Sequence, residues 1–231
     1  MSDSKGQPFD PAQGRLFIVA TPIGNLGDIS ARAKEILGSV DLVLCEDTRV
    51  TSRLLAHLKI TPSTMSFHEH TDPLKRKHIV EMLLEGKKIA LVTDAGTPAI
   101  SDPGGFLVAD AVANGITVTP IPGASAIIAA LSISGFPLDR FTFLGFPPHK
   151  KGRETFFREV IEADHVQVFY EATHRIEKAL ESLSSCPKPL VVCRELTKLH
   201  ETIYRGTAVE VLKALKETSM KGEFVVVVGK R

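Results

Sequence analysis

Five short segments, each following a predicted strand, carry chemically functional side chains: carboxylates, imidazoles, a guanidinium or hydroxyls. Each segment also contains glycine, proline or paired acidic and basic residues. They are TPIGNLGD from Thr21, EDTR from Glu46, SFHEH from Ser66, DAGTPAISDPG from Asp94 and PGASA from Pro122. In DAGTPAISDPG the glycines permit tight bends, whereas the prolines fix φ and remove donors. Stiff loops that follow strands commonly hold ligands. This pattern favours the binding of a compact ligand, chiefly by backbone groups.

Each segment could instead be an ordinary turn, because glycine and proline occur in most loops. A single Glu or His in such a loop is more often a solvated side chain than part of a functional site. The argument for a site rests on convergence, since ligands of open α/β sheets bind outside the carboxyl ends of the strands. All five segments follow predicted strands.

Several kinds of site are disfavoured. The sequence contains no G-x-x-x-x-G-K-[ST] loop, no G-x-G-x-x-G fingerprint after a strand and no G-x-S-x-G elbow, which argues against triphosphate cradling and serine hydrolysis. His68 and His70 have no Cys or His pair nearby at the spacing of a zinc site, so we expect no metal.

Composition is that of an ordinary globular protein, with 43% hydrophobic and 24% charged residues in 231. A formal net charge of +1 argues against a protein that coats nucleic acid through its overall charge. A local basic patch could still dock on RNA. The three cysteines form no C-x-x-C pair and are typical of reduced thiols. The N-terminus has no signal-peptide pattern, and no apolar run reaches about 18 residues. We therefore expect a cytoplasmic protein that does not span a membrane.

Short β-branched runs alternate with helical patterns from Arg15 onward, which predicts βαβ units and a mostly parallel sheet. We expect a flexible tail over residues 1–14 and an N-terminal α/β domain over 15–135. Asp28 is a plausible cap for a first helix that ends at Gly38. The predicted strands with clear bounds are residues 16–20, 42–45, 89–92 and 117–121, and a further strand precedes SFHEH.

A second α/β domain is predicted over residues 136–231. Thr207 and Glu210 form a plausible capping box for its last helix. Its predicted strands are residues 141–144, 166–170, 190–193 and 224–228, the last of them fully apolar.

A basic run near the start of this domain interleaves with aromatic residues, a mixture that could stack bases and hold phosphates. We favour the simpler interpretation of core phenylalanines beneath a solvated helix start. The residues are Phe143, Phe146, His149, Lys150, Lys151, Arg153, Phe156, Phe157 and Arg158.

Seven segments, ATPIGNLGD, CEDTR, DAGTPAISDPG, PIPGASA, FYEATHR, RELTK and KGEFVVVV, resemble in order and spacing the tetrapyrrole-methylase superfamily of S-adenosylmethionine-dependent methyltransferases. The resemblance extends from Leu16 to about Val228. TPIGNLGD, EDTR and DAGTPAISDPG are specific to one branch, which methylates the ribose 2'-hydroxyl of a cytidine in the decoding region of 16S rRNA. The resemblance implies two α/β domains with the cofactor cleft between them, a homodimer, and small-subunit rRNA as the partner, within the assembled small subunit.

By motif position, the resemblance also implies which residues bind S-adenosyl-L-methionine. They come from the first, fourth and fifth loops and from two segments of the second domain. The residues are Ile23, Ala95, Gly96, Thr97, Pro98, Ile100, Ser125, Ala126, Tyr170 and Leu196.

The implied reaction is an in-line displacement in which a ribose hydroxyl attacks a methyl carbon. Candidates for its general base are Glu46, Asp47, His68 and Glu69, with Arg49 as partner of a phosphate or carboxylate. We favour Asp47. Glu46 or Asp47 could instead only pair with Arg49 or cap the next helix.

Two other functions stay open at this point. One is the methylation of a tetrapyrrole such as a corrin precursor on the same fold. The other is a non-catalytic ribosome assembly protein that retains S-adenosylmethionine as a structural ligand.

Overall fold

The structure, a computed structural model, describes residues 14–68 and 71–230. The predicted tail lies outside the described residues except for Gly14, as do Glu69 and His70 of the third loop.

Contacts divide the chain into two units. Of the described residues, the first unit contains those from 14 to Pro22 and from Leu26 to Gly123; the second contains Ile23–Asn25 and those from Ala124 to 230. The division falls after Gly123, whereas the sequence prediction set the domain boundary after residue 135. The reason is the apolar helix at Ala126–Ser132, whose buried face packs against strands of the second unit.

Unit 1 is built on a five-stranded parallel sheet in the order β3-β2-β4-β1-β5. Strands β2 and β4 are almost entirely buried, as expected for inner strands covered on both faces. The strands are β1 (Arg15–Val19), β2 (Leu42–Cys45), β3 (Thr64–Ser66), β4 (Lys88–Val92) and β5 (Thr117–Ile121).

Side-chain caps at Ser30, Asp47 and Asp72 start three helices of unit 1. Asp72 accepts a hydrogen bond from the backbone of Leu74 at 2.8 Å, and Pro73 occupies the first position, as predicted. The prediction for Asp28 is wrong: it lies in a short 3₁₀ helix, Leu26–Asp28, and Ser30 caps the next helix by accepting from Ala33. The α-helices are α1 (Ala31–Ser39), α2 (Thr48–Leu58), α3 (Pro73–Leu84) and α4 (Gly105–Ala113).

Unit 2 contains a second five-stranded sheet, in the order β6-β7-β10-β8-β9. Here the expectation of a mostly parallel sheet is wrong, because among the strands described in this unit only β6 and β7 pair in parallel. The last strand lies between β7 and β8 and runs antiparallel to both. These strands are β6 (Phe141–Phe143), β7 (Val166–Glu171), β8 (Leu190–Arg194), β9 (Thr202–Gly206) and β10 (Phe224–Val228).

Helices cover this second sheet and complete its core. The predicted capping box is confirmed, since Thr207 and Glu210 exchange hydrogen bonds at the start of the last helix. The helices are α5 (Ala126–Ser132), α6 (Arg153–Glu162), α7 (Ile176–Ser182) and α8 (Ala208–Glu217). No helix in the described residues is both long enough and apolar enough to cross a bilayer.

Candidate functional site

The carboxyl ends of adjacent strands bring three predicted loops of unit 1 together. Cys45 of β2 pairs with Val92 of β4, so the EDTR and DAGTPAISDPG segments leave the sheet side by side. The backbone N–H of Asp47 donates to Asp94 at 3.1 Å. Thr21, two residues after the end of β1, exchanges two backbone hydrogen bonds with Gly96 at 2.8 and 3.1 Å.

Asp47 has two local structural roles. Its carboxylate caps α2 by accepting a hydrogen bond from the backbone N–H of Arg49 at 2.8 Å. The carboxylate also forms an ion pair with the guanidinium of Arg49 at 2.5 Å. These bonds lower the pKa of Asp47 to about 2. A carboxylate that binds a proton this weakly is a poor general base near neutral pH.

Three neighbouring carboxyls have the opposite tendency. Burial raises the pKa of Glu46, and the charge of Asp94 raises it further, whereas the charge of His68 lowers it. Burial also raises the pKa of Asp94. For Asp102, burial and then the charge of Glu46 raise the pKa to about 6, although the hydroxyl of Thr93 partly opposes the shift.

A cavity of about 230 Å³ opens beside this carboxyl cluster. Pockets that hold whole drug-sized ligands usually measure about 300–1,000 Å³, so this cavity suits one part of a larger molecule, such as a sugar or a base. It is lined by Thr21, Pro22, Leu26, Val50, Thr51, Arg53, Leu54, Thr93 and Asp94.

The backbone of the DAGTPAISDPG loop is unusual around Ile100. Both neighbours of Ile100 are non-glycine residues in the left-handed region, Ala99 at φ 69° and Ser101 at φ 60°. Gly96 has φ 85° and Gly104 has φ 132°, which glycine adopts without steric cost. Left-handed non-glycine residues cost free energy and cluster at functional sites. The loop therefore has the backbone character of a binding segment.

The RELTK segment of unit 2 repeats this arrangement around Leu196. Glu195 has φ 52° and Thr197 has φ 64°. Lys198 holds the segment in place through ion pairs to Glu195 at 2.9 Å and Glu223 at 2.8 Å. Two residues that the sequence assigned to the cofactor, Ile100 and Leu196, thus each lie between two left-handed neighbours.

Four predicted cofactor residues of unit 2, Leu196 among them, share one apolar cluster. Leu196 is buried there, and Ile23, Ala126 and Tyr170 pack against the same cluster. The fifth residue of this unit, Ser125, is the N-cap of α5 and makes no side-chain capping bond.

Of the predicted catalytic residues, Glu46, Asp47 and Arg49 lie together at the start of α2, and His68 is exposed after β3. Ala95, Gly96, Thr97, Pro98 and Ile100 all belong to the loop after β4. The sequence analysis did not single out Asp94 and Asp102. The available signal was that both are acidic residues within a loop already assigned to the site. The described residues contain no group of three or more His, Cys, Asp or Glu able to hold a metal ion.

Residues 15–212 match the family model described as tetrapyrrole (corrin/porphyrin) methylases. The chain is 48% identical over 221 residues to a ribosomal RNA small subunit methyltransferase I from Xylella fastidiosa, covering 93% of this chain and 81% of that protein. It is 43% identical over 219 residues to a protein of the same name from Halalkalibacterium halodurans, covering 94% and 76%.

Among solved structures, a cobalt precorrin-4 methyltransferase has the same fold, with a TM-score of 0.68 at 18% identity over 97% of this chain and 98% of that one. The chain belongs to the tetrapyrrole (corrin/porphyrin) methylases, in the branch of the ribosomal RNA small subunit methyltransferases I.

Proposed function

We propose that this chain transfers a methyl group from S-adenosyl-L-methionine to the ribose 2'-hydroxyl of a cytidine in the decoding region of 16S rRNA. The observation that carries the proposal is the 48% identity, over 93% of the chain, to a protein named ribosomal RNA small subunit methyltransferase I. The precorrin enzyme, at 18% identity, supports the fold alone. We expect the assembled small subunit to be the substrate.

The residues assigned to the cofactor fit S-adenosylmethionine chemically. None of the ten carries an ionisable acid or base, apart from the phenol of Tyr170. Ile23, Ala126, Tyr170 and Leu196 offer an apolar surface for an adenosine. The proline-containing loop at Ala95–Ile100 offers carbonyl oxygens, which suit a sulfonium cation better than a helix N-terminus would. When bound, the cofactor supplies the electrophilic methyl group.

Asp102 is the group we assign to accept the proton of the attacking hydroxyl. A general base works best when its pKa lies near the operating pH. The pKa of Asp102, about 6, meets that condition, whereas Asp47, at about 2, does not. Glu46 and Asp94 then act on Asp102 through their charges, which raise its pKa.

We assign the cavity beside the carboxyl cluster to the target ribose. Thr93 and Asp94 line it and can hydrogen-bond sugar hydroxyls, while Arg53 can pair with a phosphate. Holding the hydroxyl in line with the methyl carbon is the larger effect, because effective molarity can lower a barrier by roughly 7–11 kcal/mol. The base adds about 10² to 10⁴ in rate.

The deciding experiment incubates the protein with radiolabelled S-adenosylmethionine and small subunits from a strain that lacks the endogenous modification. Digestion of the RNA should yield label in 2'-O-methylcytidine. Label in another nucleoside, or in the base, would refute the proposed reaction. Cofactor binding without transfer would favour the ribosome assembly protein.

A further inference from the structure

A segment of unit 2, residues 145–152 with the sequence GFPPHKKG, presents basic and aromatic side chains to solvent. We call it the basic loop. Lys150 and Lys151 are exposed, and no carboxylate in the described part of the chain lies within ion-pair distance of either. Phe146 is 50% exposed, unlike Phe157, which is buried in the core. The expectation of core phenylalanines therefore holds for Phe157 but not for Phe146.

A buried ion cluster holds the backbone of this loop. Glu171, whose side chain is fully buried, pairs with Arg153 at 3.1 Å and with Arg175 at 3.0 Å. The same arginines donate to loop carbonyls, Arg153 to Pro148 and Arg175 to Pro147, each at 3.3 Å. Breaking such a buried pair is costly, so the cluster favours a single loop conformation.

Two backbone bonds complete the anchoring. Tyr170 donates its N–H to the carbonyl of Gly145 at 2.9 Å, and Arg153 donates its N–H to the carbonyl of Lys150 at 3.2 Å. Because the main chain is fixed at several points, the side chains of Phe146, Lys150 and Lys151 are presented from a preorganised segment.

The loop lies next to a residue assigned to the cofactor. The ring of Phe146 packs on that of Tyr170 with centroids 5.3 Å apart. A strand of RNA that follows the basic loop would therefore pass beside Tyr170.

We propose that the basic loop binds the substrate RNA directly, with Lys150 and Lys151 on backbone phosphates and Phe146 stacked on an unpaired base. This inference rests on the proposed function. Exposed lysines that pair with no carboxylate of the described residues match phosphates by charge, and an aromatic face accepts any base. Both features favour RNA over a ribosomal protein as the partner.

The test compares wild type with the double variant K150A/K151A, and with K178A/K213A as a control that removes two exposed lysines elsewhere in unit 2. Binding to an RNA fragment of the decoding region is measured between 50 and 200 mM salt. We expect K150A/K151A to bind about tenfold more weakly at 150 mM, and its log–log salt slope to fall by about 1.4. The control should change affinity less than twofold.

A third variant, F146L, keeps apolar contact with Tyr170 but removes the stacking face. We expect about fivefold weaker RNA binding with an unchanged salt slope. Cofactor affinity, measured by calorimetry, should match wild type in K150A/K151A and F146L. In transfer assays the loss should appear in KM for the small subunit rather than in kcat.

Unchanged RNA affinity in both loop variants would overturn the inference. So would a loss seen with assembled subunits but not with the RNA fragment, which would indicate a ribosomal protein as the partner. The proposed function has its own test: it is refuted if the wild-type protein transfers no methyl group to the subunits. In that case, binding to the RNA fragment still tests the role of the basic loop.

Discussion

At the scale of single residues, burial and neighbouring groups give Asp47 and Asp102 different pKa values. Asp47 accepts hydrogen bonds from an exposed arginine, so its charged form is favoured. Asp102 is partly buried near the acidic Glu46 and Asp94, so its charged form is disfavoured. Position along the chain could not separate the two, because both follow strands and both belong to segments assigned to the site.

Asp102→Asn should therefore slow methyl transfer by about 10² or more while cofactor affinity stays within twofold. In wild type, the transfer rate should rise with pH to a plateau above about 6, as Asp102 loses its proton. The variant should lack this rise. Single-turnover transfer between pH 5 and 8 measures both effects.

Asp47→Asn is the matched control for that comparison. Asparagine retains the cap of α2, and the lost ion pair is exposed, so we expect a change in transfer of less than about fivefold. A larger loss in Asp47→Asn than in Asp102→Asn would reverse the assignment of the base.

Asp102 should also influence the free energy of unfolding. Its pKa is about 6 in the folded chain against 3.8 for the unperturbed group, so the folded state binds more protons between these values. Stability contributed by this carboxyl therefore falls as pH rises from about 4 to 6. The difference between the two pKa values corresponds to about 3 kcal/mol in the free energy of unfolding. Because Asp102 is only partly buried, we reduce this figure to about 1–2 kcal/mol.

Denaturant unfolding of wild type and Asp102→Asn at pH 4.5 and 7 tests this linkage. The variant should gain about 1–2 kcal/mol relative to wild type at pH 7, and less at pH 4.5. Equal effects at the two pH values would show that the carboxyl titrates as in an unfolded chain.

At the scale of elements, loops are held by specific close contacts. Gly24 belongs to the TPIGNLGD segment but packs against RELTK: a Cβ atom there would lie 2.4 Å from Cγ of Lys198 and 2.8 Å from Oγ1 of Thr197. These atoms are near the backbone and cannot easily move away. The glycine is thus required by packing, which a sequence pattern does not reveal.

Gly24→Ala should displace RELTK and lower cofactor affinity about tenfold, measured by calorimetry. Gly38→Ala is the control, because its Cβ would make only an ordinary 3.5 Å contact with Ile60. Within α1 that change should stabilise the protein by about 0.5–1 kcal/mol. Equal cofactor affinities in both variants would remove RELTK from the proposed binding surface.

At the scale of the whole molecule, large apolar side chains remain exposed on α3 and α4. Leu74 is 75% exposed, Phe106 70% and Val112 62%. Contiguous exposed apolar surface commonly marks protein–protein contacts, and α3 packs against α4. The homodimer implied by the family resemblance would give this surface a partner in a second copy of the chain.

Sedimentation of wild-type protein should accordingly give about twice the 25.1 kDa of one chain. Phe106→Asp should shift the equilibrium toward monomer by placing a charge on that surface. Val209→Asp, on an exposed position of α8, should leave it unchanged. A dimer unaffected by Phe106→Asp would place the contact elsewhere.

The sequence alone determined much of this protein. Apolar runs located β2, β4 and β10 because a strand buried on both faces must be continuously hydrophobic. Local chemistry located the caps at Asp72 and Thr207, since a cap requires only residues a few positions apart. The order of the motifs also identified the family, which the comparisons confirm.

Tertiary structure alone decided the rest, because the deciding contacts join residues far apart in the chain. The mostly antiparallel sheet of unit 2 depends on where β10 inserts, which no local pattern specifies. The contrast between Asp47 and Asp102 depends on burial and on charges from other loops. The anchoring of the basic loop depends on Glu171, which reaches full burial only when two arginines from different segments surround it.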